Sequence, residues 1–305
     1  MENNNINNND LNLNLGNYFL ITTLKIHNNI INCIIQLNDK RLASCSEDNT
    51  IKIYNQNTYS IDINIIENNN KIISILQLTN NNLISSNKKN VKEYKINNNY
   101  YQLINIFYEN ITTIYKLIEL KNENLLTCTL DGNINIWKKS YNYEYNVLYS
   151  DCLTDYCYDI LEIRTNILAI CENIVIKIFD LNYYYTIYKI DLRDKAKNFC
   201  LLNNNILLVN ESTIFEIIDL NNICIIKNIK KKLNEKNNIY VKNNNVFISN
   251  EFGINHYIYN NNELILKYYK NKMHNNYINY INILNDNTLI TIGKDNLIKI
   301  WKSNV

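Results

Sequence analysis

Two stretches near opposite ends of this 305-residue chain, residues 26–56 and 273–304, repeat one pattern. Each has a histidine in a polar turn, then short β-rich segments, and ends near an aromatic residue. Spacings of 21 and 6 positions separate three residues in each stretch: His27, Asp48 and Tyr54 in the first, and His274, Asp295 and Trp301 in the second. An internal repeat of this fidelity predicts that the whole chain is built from repeated units.

The pattern continues between these stretches with a period near 40 residues. Segments of five to seven residues rich in β-branched and aromatic side chains alternate with Asn, Asp and Lys clusters, and no window has sustained helical spacing. Alignment on the third segment of each unit gives seven anchors: Tyr54, Tyr94, Trp137, Phe179, Ile218, a position near Ile258, and Trp301. Four strands per unit at this period predict an all-β fold, a seven-bladed β-propeller of four-stranded antiparallel blades.

The two ends of the chain lead to a prediction about ring closure. The last unit stops after its third strand, whereas an extra strand, residues 18–25, precedes the first histidine. An open blade would expose an unpaired edge, so we expect the N-terminal strand to complete the last blade. Residues 1–16 are Asn-rich and of low complexity and are predicted to be a disordered tail, with residues 17–305 forming a single propeller domain.

Composition excludes several classes of function. The net charge of +2 gives no field that favours nucleic acid or a membrane surface, and no apolar run is long enough to cross a bilayer. Eight cysteines form no metal-binding spacing, so we expect neither a metal nor a cofactor and place the protein inside the cell, in the cytoplasm or the nucleus. Only four glycines and no prolines are present, and Asn and Asp are therefore expected to form the turns.

The repeated residues resemble those of the WD-repeat β-propeller family. In that family a His, a Ser or Thr on the second strand, an Asp in the next turn and a Trp on the third strand bond in a line within each blade. Three repeats match this pattern: the first with His27, Ser44, Asp48 and Tyr54, the third with Thr127, Asp131 and Trp137, and the last with His274, Thr291, Asp295 and Trp301. The other four repeats are degenerate. The resemblance implies that these eleven residues are structural ties.

The histidines and aspartates of these ties are poor candidates for catalysis. Each histidine has only its own blade's hydroxyl and aspartate as partners, and the three aspartates lie too far apart around a ring to act as a carboxylate pair. The third histidine, His256, is in the weakest repeat and is expected to be exposed. We therefore predict a protein that is not an enzyme.

The resemblance also implies where partners bind. In the family, the positions shortly after the histidine and just before the turn Asp lie on one face, called the top face. Here these positions are Ile30, Asn32, Glu47, Thr113, Tyr115, Leu130, Tyr277, Asn279 and Lys294. The favoured function is a non-catalytic scaffold that mediates protein–protein interactions as a monomeric domain in an intracellular complex.

An RNA- or ribonucleoprotein-binding propeller is the alternative. It would act through basic loops, the densest of which contains Lys227, Lys230, Lys231 and Lys232. No aromatic residue interleaves these lysines, and a solvated loop is the preferred interpretation.

Overall fold

The computed structural model describes residues 18–67, 70–88, 90–108, 113–129, 131–140, 144–153, 156–231 and 235–303. The predicted tail, residues 1–16, lies outside this part of the chain. Twenty-eight β-strands form seven antiparallel sheets of four strands, and the described residues contain no helix. The prediction of a seven-bladed propeller is confirmed.

Six blades use four consecutive strands each. Their bounds are: blade 1, β2 (Ile31–Gln36), β3 (Leu42–Ser46), β4 (Thr50–Tyr54) and β5 (Ile61–Ile66); blade 2, β6 (Ser74–Gln77), β7 (Leu83–Ser86), β8 (Asn90–Ile96) and β9 (Tyr101–Tyr108); blade 3, β10 (Ile114–Glu119), β11 (Leu125–Thr129), β12 (Asn133–Lys139) and β13 (Tyr145–Cys152). They continue with blade 4, β14 (Cys157–Arg164), β15 (Ile167–Glu172), β16 (Val175–Asp180) and β17 (Tyr185–Asp191); blade 5, β18 (Ala196–Asn203), β19 (Ile206–Glu211), β20 (Ile214–Asp219) and β21 (Cys224–Lys230); and blade 6, β22 (Glu235–Lys242), β23 (Asn245–Asn250), β24 (Ile254–Asn260) and β25 (Glu263–Lys270).

Blade 7 joins the two ends of the chain. It contains β26 (Ile278–Ile283), β27 (Leu289–Gly293) and β28 (Ile298–Ser303), and its outer strand is β1 (Tyr18–Leu24). The first and last paired positions of this clasp are Tyr18 with Ser303 and Leu24 with Ile298. The predicted closure by the N-terminal strand is confirmed.

The outer strand of every blade has an irregularity opposite the same position of the third strand. In blade 1 the register shifts between Ile53 and Tyr54, and in blade 3 between Ile136 and Trp137. The corresponding shift in blade 6 lies between His256 and Tyr257. The anchor of the sixth repeat is therefore Tyr257, one residue before the position that the sequence alignment indicated.

The core lies between the blades, because each blade packs a face against each neighbour. All five residues of β3, β11 and β27 are buried, whereas most positions of the outer strands are exposed or half-buried. Isoleucines from blades 7 and 1 form one of these interblade clusters, which includes Ile31, Ile34, Ile290 and Ile300. β-Branched side chains suit such strands because they pack well on a pleated surface.

Asparagine replaces glycine in the turns. Of the sixteen non-glycine residues with positive φ in the described chain, ten are asparagines, among them Asn49, Asn166 and Asn244. Asn tolerates the left-handed region better than other residues with a Cβ. A chain with four glycines can therefore still make the tight hairpins of twenty-eight strands.

Candidate functional site

Blade 7 contains a complete line of side-chain hydrogen bonds. Trp301 Nε1 donates to Thr291 Oγ1 at 3.1 Å, and His274 Nε2 lies 2.8 Å from the same oxygen. His274 Nδ1 lies 3.0 Å from Asp295 Oδ1, and Asp295 Oδ2 accepts from the Asn275 N–H at 2.9 Å. These contacts connect the third strand to the turn that precedes the first strand.

Glycine is required beside this line. A Cβ on Gly293 would lie 2.5 Å from both His274 Nδ1 and Asp295 Oδ1, so only glycine lets the histidine and aspartate approach so closely. Burial raises the pKa of Asp295, but its bonds and charge interaction with His274 outweigh burial and hold that pKa below its usual value. The aspartate is therefore ionised and bonded within its own blade.

Blade 1 forms the same line up to its last member. His27 Nε2 lies 2.8 Å from Ser44 Oγ, and His27 Nδ1 lies 2.9 Å from Asp48 Oδ2. Burial lowers the pKa of His27, and its contacts with Asp48 only partly oppose this. The Tyr54 hydroxyl lies near Ser44 but is buried without a hydrogen bond of ordinary geometry to any described residue. Tyr54 therefore occupies in blade 1 the position that Trp301 has in blade 7, without completing the bonds.

Blade 3 retains the strand-to-strand part of the line. Trp137 Nε1 donates to Thr127 Oγ1 at 2.9 Å. Asp131 accepts from Thr129 Oγ1 at 2.5 Å, so it is bonded within its own turn. Asn110, the residue at the histidine position, lies outside the described residues. Of the eleven predicted tie residues, ten make side-chain hydrogen bonds within their own blade, and Tyr54 does not.

The other four blades have shorter turns between their second and third strands. Positions 42 and 54, 125 and 137, and 289 and 301 pair in blades 1, 3 and 7, each twelve residues apart. In blades 2, 4, 5 and 6 the equivalent pairs are 83 and 94, 168 and 179, 207 and 218, and 246 and 257, each eleven apart. One residue is therefore missing in every degenerate repeat, and it is missing from the turn that would carry the aspartate.

In blade 2 a single glutamate occupies the place of the histidine and aspartate. Glu67 accepts from Ser85 Oγ at 2.6 Å, from Tyr94 Oη at 2.8 Å and from Asn87 Nδ2 at 3.1 Å. Lys92 Nζ lies 2.9 Å from the same carboxylate and balances its charge. Burial and then the charge of Glu67 raise the pKa of Tyr94, which keeps its hydroxyl protonated as a donor.

Blades 4 and 5 place charged residues at two equivalent positions but with different pairing. In blade 4, Lys177 Nζ lies 2.6 Å from Glu172 Oε1. In blade 5 the same positions hold Glu211 and Glu216, both fully buried, and one oxygen of each has no hydrogen-bond partner in the described chain. Burial, followed by the bond with Glu216, raises the pKa of Glu211 to about 8. One proton held between the two carboxylates accounts for this arrangement.

The predicted top-face residues have different environments. Asn32 and Asn279 donate their amides to the main chain of the next blade, at Ile72 O (2.8 Å) and Ile31 O (2.6 Å) respectively. Tyr115 donates to Cys157 Sγ at 3.3 Å in the neighbouring blade, and Glu47 pairs with Lys71 at 2.5 Å. These four side chains thus make contacts within or between blades. Of the others, Ile30 and Thr113 are half-buried and Leu130 lies outside the described residues.

Tyr277 and Lys294 remain exposed, and a residue that the sequence analysis did not select lies beside them. Phe252, in the turn between β23 and β24, stacks on Tyr277 with ring centroids 5.6 Å apart and an interplanar angle of 11°. The two side chains are 37% and 38% exposed. We call Phe252 and Tyr277 the aromatic pair. Phe252 was missed because the sixth repeat lacked a recognisable register.

The main chain fixes the aromatic pair firmly. Phe252 O accepts from the N–H groups of Met273 (2.7 Å) and His274 (3.0 Å), and Tyr277 O accepts from Lys294 N at 2.8 Å. A Cβ on Gly253 would meet Lys270 O at 1.7 Å, so the turn that carries Phe252 lies directly on the neighbouring strand. The tie of blade 7 and the aromatic pair therefore share the segment that contains His274.

Two of the four lysines considered for RNA binding, Lys227 and Lys231, interact with other residues of the protein, whereas Lys230 is exposed. Lys227 pairs with Glu263 at 2.5 Å. Lys231 donates to Asn210 and to the main-chain oxygen of Glu211, and its ammonium lies 4.7 Å from the centroid of the Phe215 ring. Lys232 lies outside the described residues.

His256 is not exposed as expected, but stacks on Phe247 at 4.4 Å and bonds Asn245. Burial, with Lys267 nearby, lowers its pKa to about 4. Among the described residues no group of three or more His, Cys, Asp and Glu side chains is arranged to hold a metal ion. The described segments also include no helix of the length and apolarity needed to cross a membrane.

Comparison with known proteins agrees with this geometry. Residues 19–55 match the family model described as "WD domain, G-beta repeat". The fold is similar to the crystal structure of the WD40 β-propeller domain of Doa1, with a TM-score of 0.76 and 13% sequence identity over 93% of this chain and 97% of that one. No curated protein sequence matches the chain. Residues 19–55 thus match a WD repeat, and the described chain has the fold of a WD40 β-propeller, a seven-bladed ring with side-chain ties in its first and last blades.

Proposed function

We propose that this protein is a non-catalytic scaffold that binds another protein on its top face, at the aromatic pair of Phe252 and Tyr277. The observation that carries this proposal is the stacked, exposed pair on a rigid main chain. Large aromatic side chains that are already held in place lose little conformational entropy on binding, and such residues dominate the energy of protein interfaces.

The ties support a structural rather than catalytic role for the residues that most resemble catalytic groups. His27 and His274 are each bonded on both ring nitrogens by residues of their own blade. An acid–base catalyst must be able to reach a substrate proton, and neither histidine can do so without breaking its tie.

We further propose that the protein acts inside the cell, in the cytoplasm or the nucleus, as a monomeric domain of a larger complex. All eight cysteines are free thiols, which supports a reducing compartment. RNA binding stays an alternative outcome, although Lys227 and Lys231 already interact with neighbouring residues.

The experiment that tests the scaffold function compares affinity purifications of tagged variants from the protein's own cells. The double variant Phe252→Ala/Tyr277→Ala is expected to lose most of the proteins that co-purify with the unaltered chain. Tyr183→Ala is the control, because Tyr183 is 75% exposed but lies in the turn between β16 and β17, at the opposite end of a blade.

Two results would overturn the proposal. One is an unchanged set of co-purifying proteins in the double variant. The other is a set of partners that disappears after ribonuclease treatment and binds RNA with a steep dependence on salt, which would favour the RNA alternative.

A further inference from the structure

We propose that the aromatic pair binds an extended, acidic segment of a partner protein that carries an aromatic residue, and that Lys272 and Lys294 pair with the carboxylates of that segment. This inference rests on the proposed function of the top face as a docking surface. It adds the chemical class of the partner.

Backbone hydrogen bonds connect the segments that carry two lysines to the two residues of the aromatic pair. Lys272 immediately precedes Met273, whose N–H donates to Phe252 O at 2.7 Å. Lys294 donates its own N–H to Tyr277 O at 2.8 Å. Lys272 has a φ of 58°, so the chain turns sharply there. Lys272 is therefore one residue away from a backbone hydrogen bond to Phe252, and Lys294 itself makes a backbone hydrogen bond to Tyr277.

Both lysines are available for a partner. Their side chains are exposed, and no hydrogen bond or ion pair holds either ammonium group within the described part of the chain. This differs from Lys71, Lys92, Lys177 and Lys227, each of which pairs with a carboxylate of this protein.

The two acidic residues next to this surface, Asp295 and Glu251, already interact with other parts of the protein. Asp295, which follows Lys294, contacts His274 and accepts from the N–H groups of Asn275 and Leu297. Glu251, which precedes Phe252, is half-buried and also has a contact within the protein. The surface around the aromatic pair therefore offers two unpaired positive charges beside a flat apolar surface.

The two lysines favour a partner segment with negative charge, and the aromatic pair favours a segment with an aromatic side chain. Complementary charges at the rim of an interface raise the association rate and disfavour partners of the wrong sign. An aromatic side chain of the partner can stack on, or pack edge-on against, the exposed ring faces. A basic segment would bring like charges to Lys272 and Lys294, and an acidic segment without an aromatic residue would leave the ring faces uncovered.

The test uses three short fluorescein-labelled peptides on the full-length protein, read by fluorescence anisotropy. The first has a phenylalanine flanked on each side by two acidic residues, the second replaces the acidic residues by lysines, and the third replaces the phenylalanine by alanine. We expect the first peptide to bind at least about tenfold more tightly than either of the others.

Charge-reversal variants identify the residues responsible. Lys272→Glu/Lys294→Glu should weaken binding of the acidic peptide by about tenfold or more and should bind the lysine peptide better than the unaltered protein does. Lys95→Glu/Lys189→Glu is the matched control, because it makes the same change of net charge at exposed lysines of β8 and β17. All variants alter exposed side chains, and their melting curves serve to verify the fold.

The outcomes separate this inference from the proposed function. If charge reversal at Lys272 and Lys294 leaves the co-purifying proteins and the peptide affinities unchanged while Phe252→Ala/Tyr277→Ala removes the partners, the acidic class is wrong and the scaffold proposal stands. If the aromatic double variant also loses nothing, both are wrong. Equal binding of acidic and lysine peptides likewise overturns the acidic class.

Discussion

Blade 7 and blade 2 both bury a hydroxyl on the second strand and an aromatic ring on the third, but they tie these groups to the rest of the blade differently. Blade 7 uses an imidazole ring and an ionised acid, with His274 between Thr291 and Asp295. Blade 2 uses one carboxylate, Glu67, which contacts Ser85 and Tyr94 directly. The difference follows from one residue in the turn between the strands.

The longer turn of blade 7 has room for an aspartate that faces the histidine. The turn of blade 2 is one residue shorter, so the acid must come from the preceding connection instead. A fully buried carboxylate needs a compensating charge, and Lys92 supplies it at 2.9 Å. Blade 2 is therefore a repeat with a different tie, and the ties of blades 2 and 7 should respond differently to mutation.

The largest effect is expected from Glu67→Ala in blade 2. The substitution leaves Lys92, Ser85 and Tyr94 without their shared acceptor, and loss of one partner of a buried ion pair costs about 3–5 kcal/mol. Chemical unfolding followed by circular dichroism measures this change. Glu67→Gln is the matched variant, because it retains an acceptor oxygen at the same buried position and should lose less stability.

A smaller loss is expected from Asp295→Ala in blade 7. His274 is 2% exposed, and its Nδ1 would lose its acceptor. The backbone N–H groups of Asn275 and Leu297 would lose the same acceptor. Unsatisfied buried groups cost about 1–3 kcal/mol, which corresponds to a fall of several degrees in the melting temperature. Asp62→Ala, at a half-buried position of β5, is the control. A melting curve identical to that of the unaltered protein would contradict the role assigned to Asp295.

The pH dependence of stability distinguishes blade 5 from blade 4. The native state holds a proton on Glu211 up to about pH 8, whereas the unfolded chain releases it near 4.5. The unfolded state therefore binds fewer protons in this window, and stability falls as pH rises from about 4.5 to about 8, by at most ~1.4 kcal/mol per pH unit.

Glu211→Gln should remove this slope, because the amide always carries a donor for Glu216. Glu172→Gln in blade 4 should instead lower stability, because Lys177 loses its salt-bridge partner there, and it should leave the slope caused by Glu211 in place. Urea unfolding at a series of pH values between 5.5 and 8.5 compares the two variants. A slope that survives Glu211→Gln would mean that another group holds the proton.

The smallest effect is expected from Tyr54→Phe in blade 1. The Tyr54 hydroxyl is buried without a hydrogen bond of ordinary geometry in the described structure, so its removal should be neutral or slightly stabilising. Tyr94→Phe in blade 2 removes a hydroxyl that donates to Glu67 and should cost about 1 kcal/mol. A differential thermal melt of the two variants orders them, and a larger loss for Tyr54→Phe would reverse the comparison.

Local spacing in the sequence determined the architecture. The period near 40 residues and the strand left over at the N-terminus predicted seven blades and their closure, and both are confirmed. The sequence is sufficient to predict these features because each blade is built from residues that are close in sequence and every blade repeats the same geometry. The candidate tie residues of blades 1 and 7 could also be selected from the sequence, because the four residues lie at the same spacings in both repeats.

Only the tertiary structure showed which side chains replace the tie in blade 2 and which aromatic side chains are exposed together on the top face. Glu67 belongs to the connection before blade 2, and Phe252 meets Tyr277 from a different blade, so neither relation appears as a spacing within one repeat. Asn32 and Asn279 resembled binding residues in the sequence, yet their amides bond the next blade. The physical reason is that a partner for a polar or aromatic side chain is selected by distance in space, and in a closed ring that distance is set by the neighbouring blade.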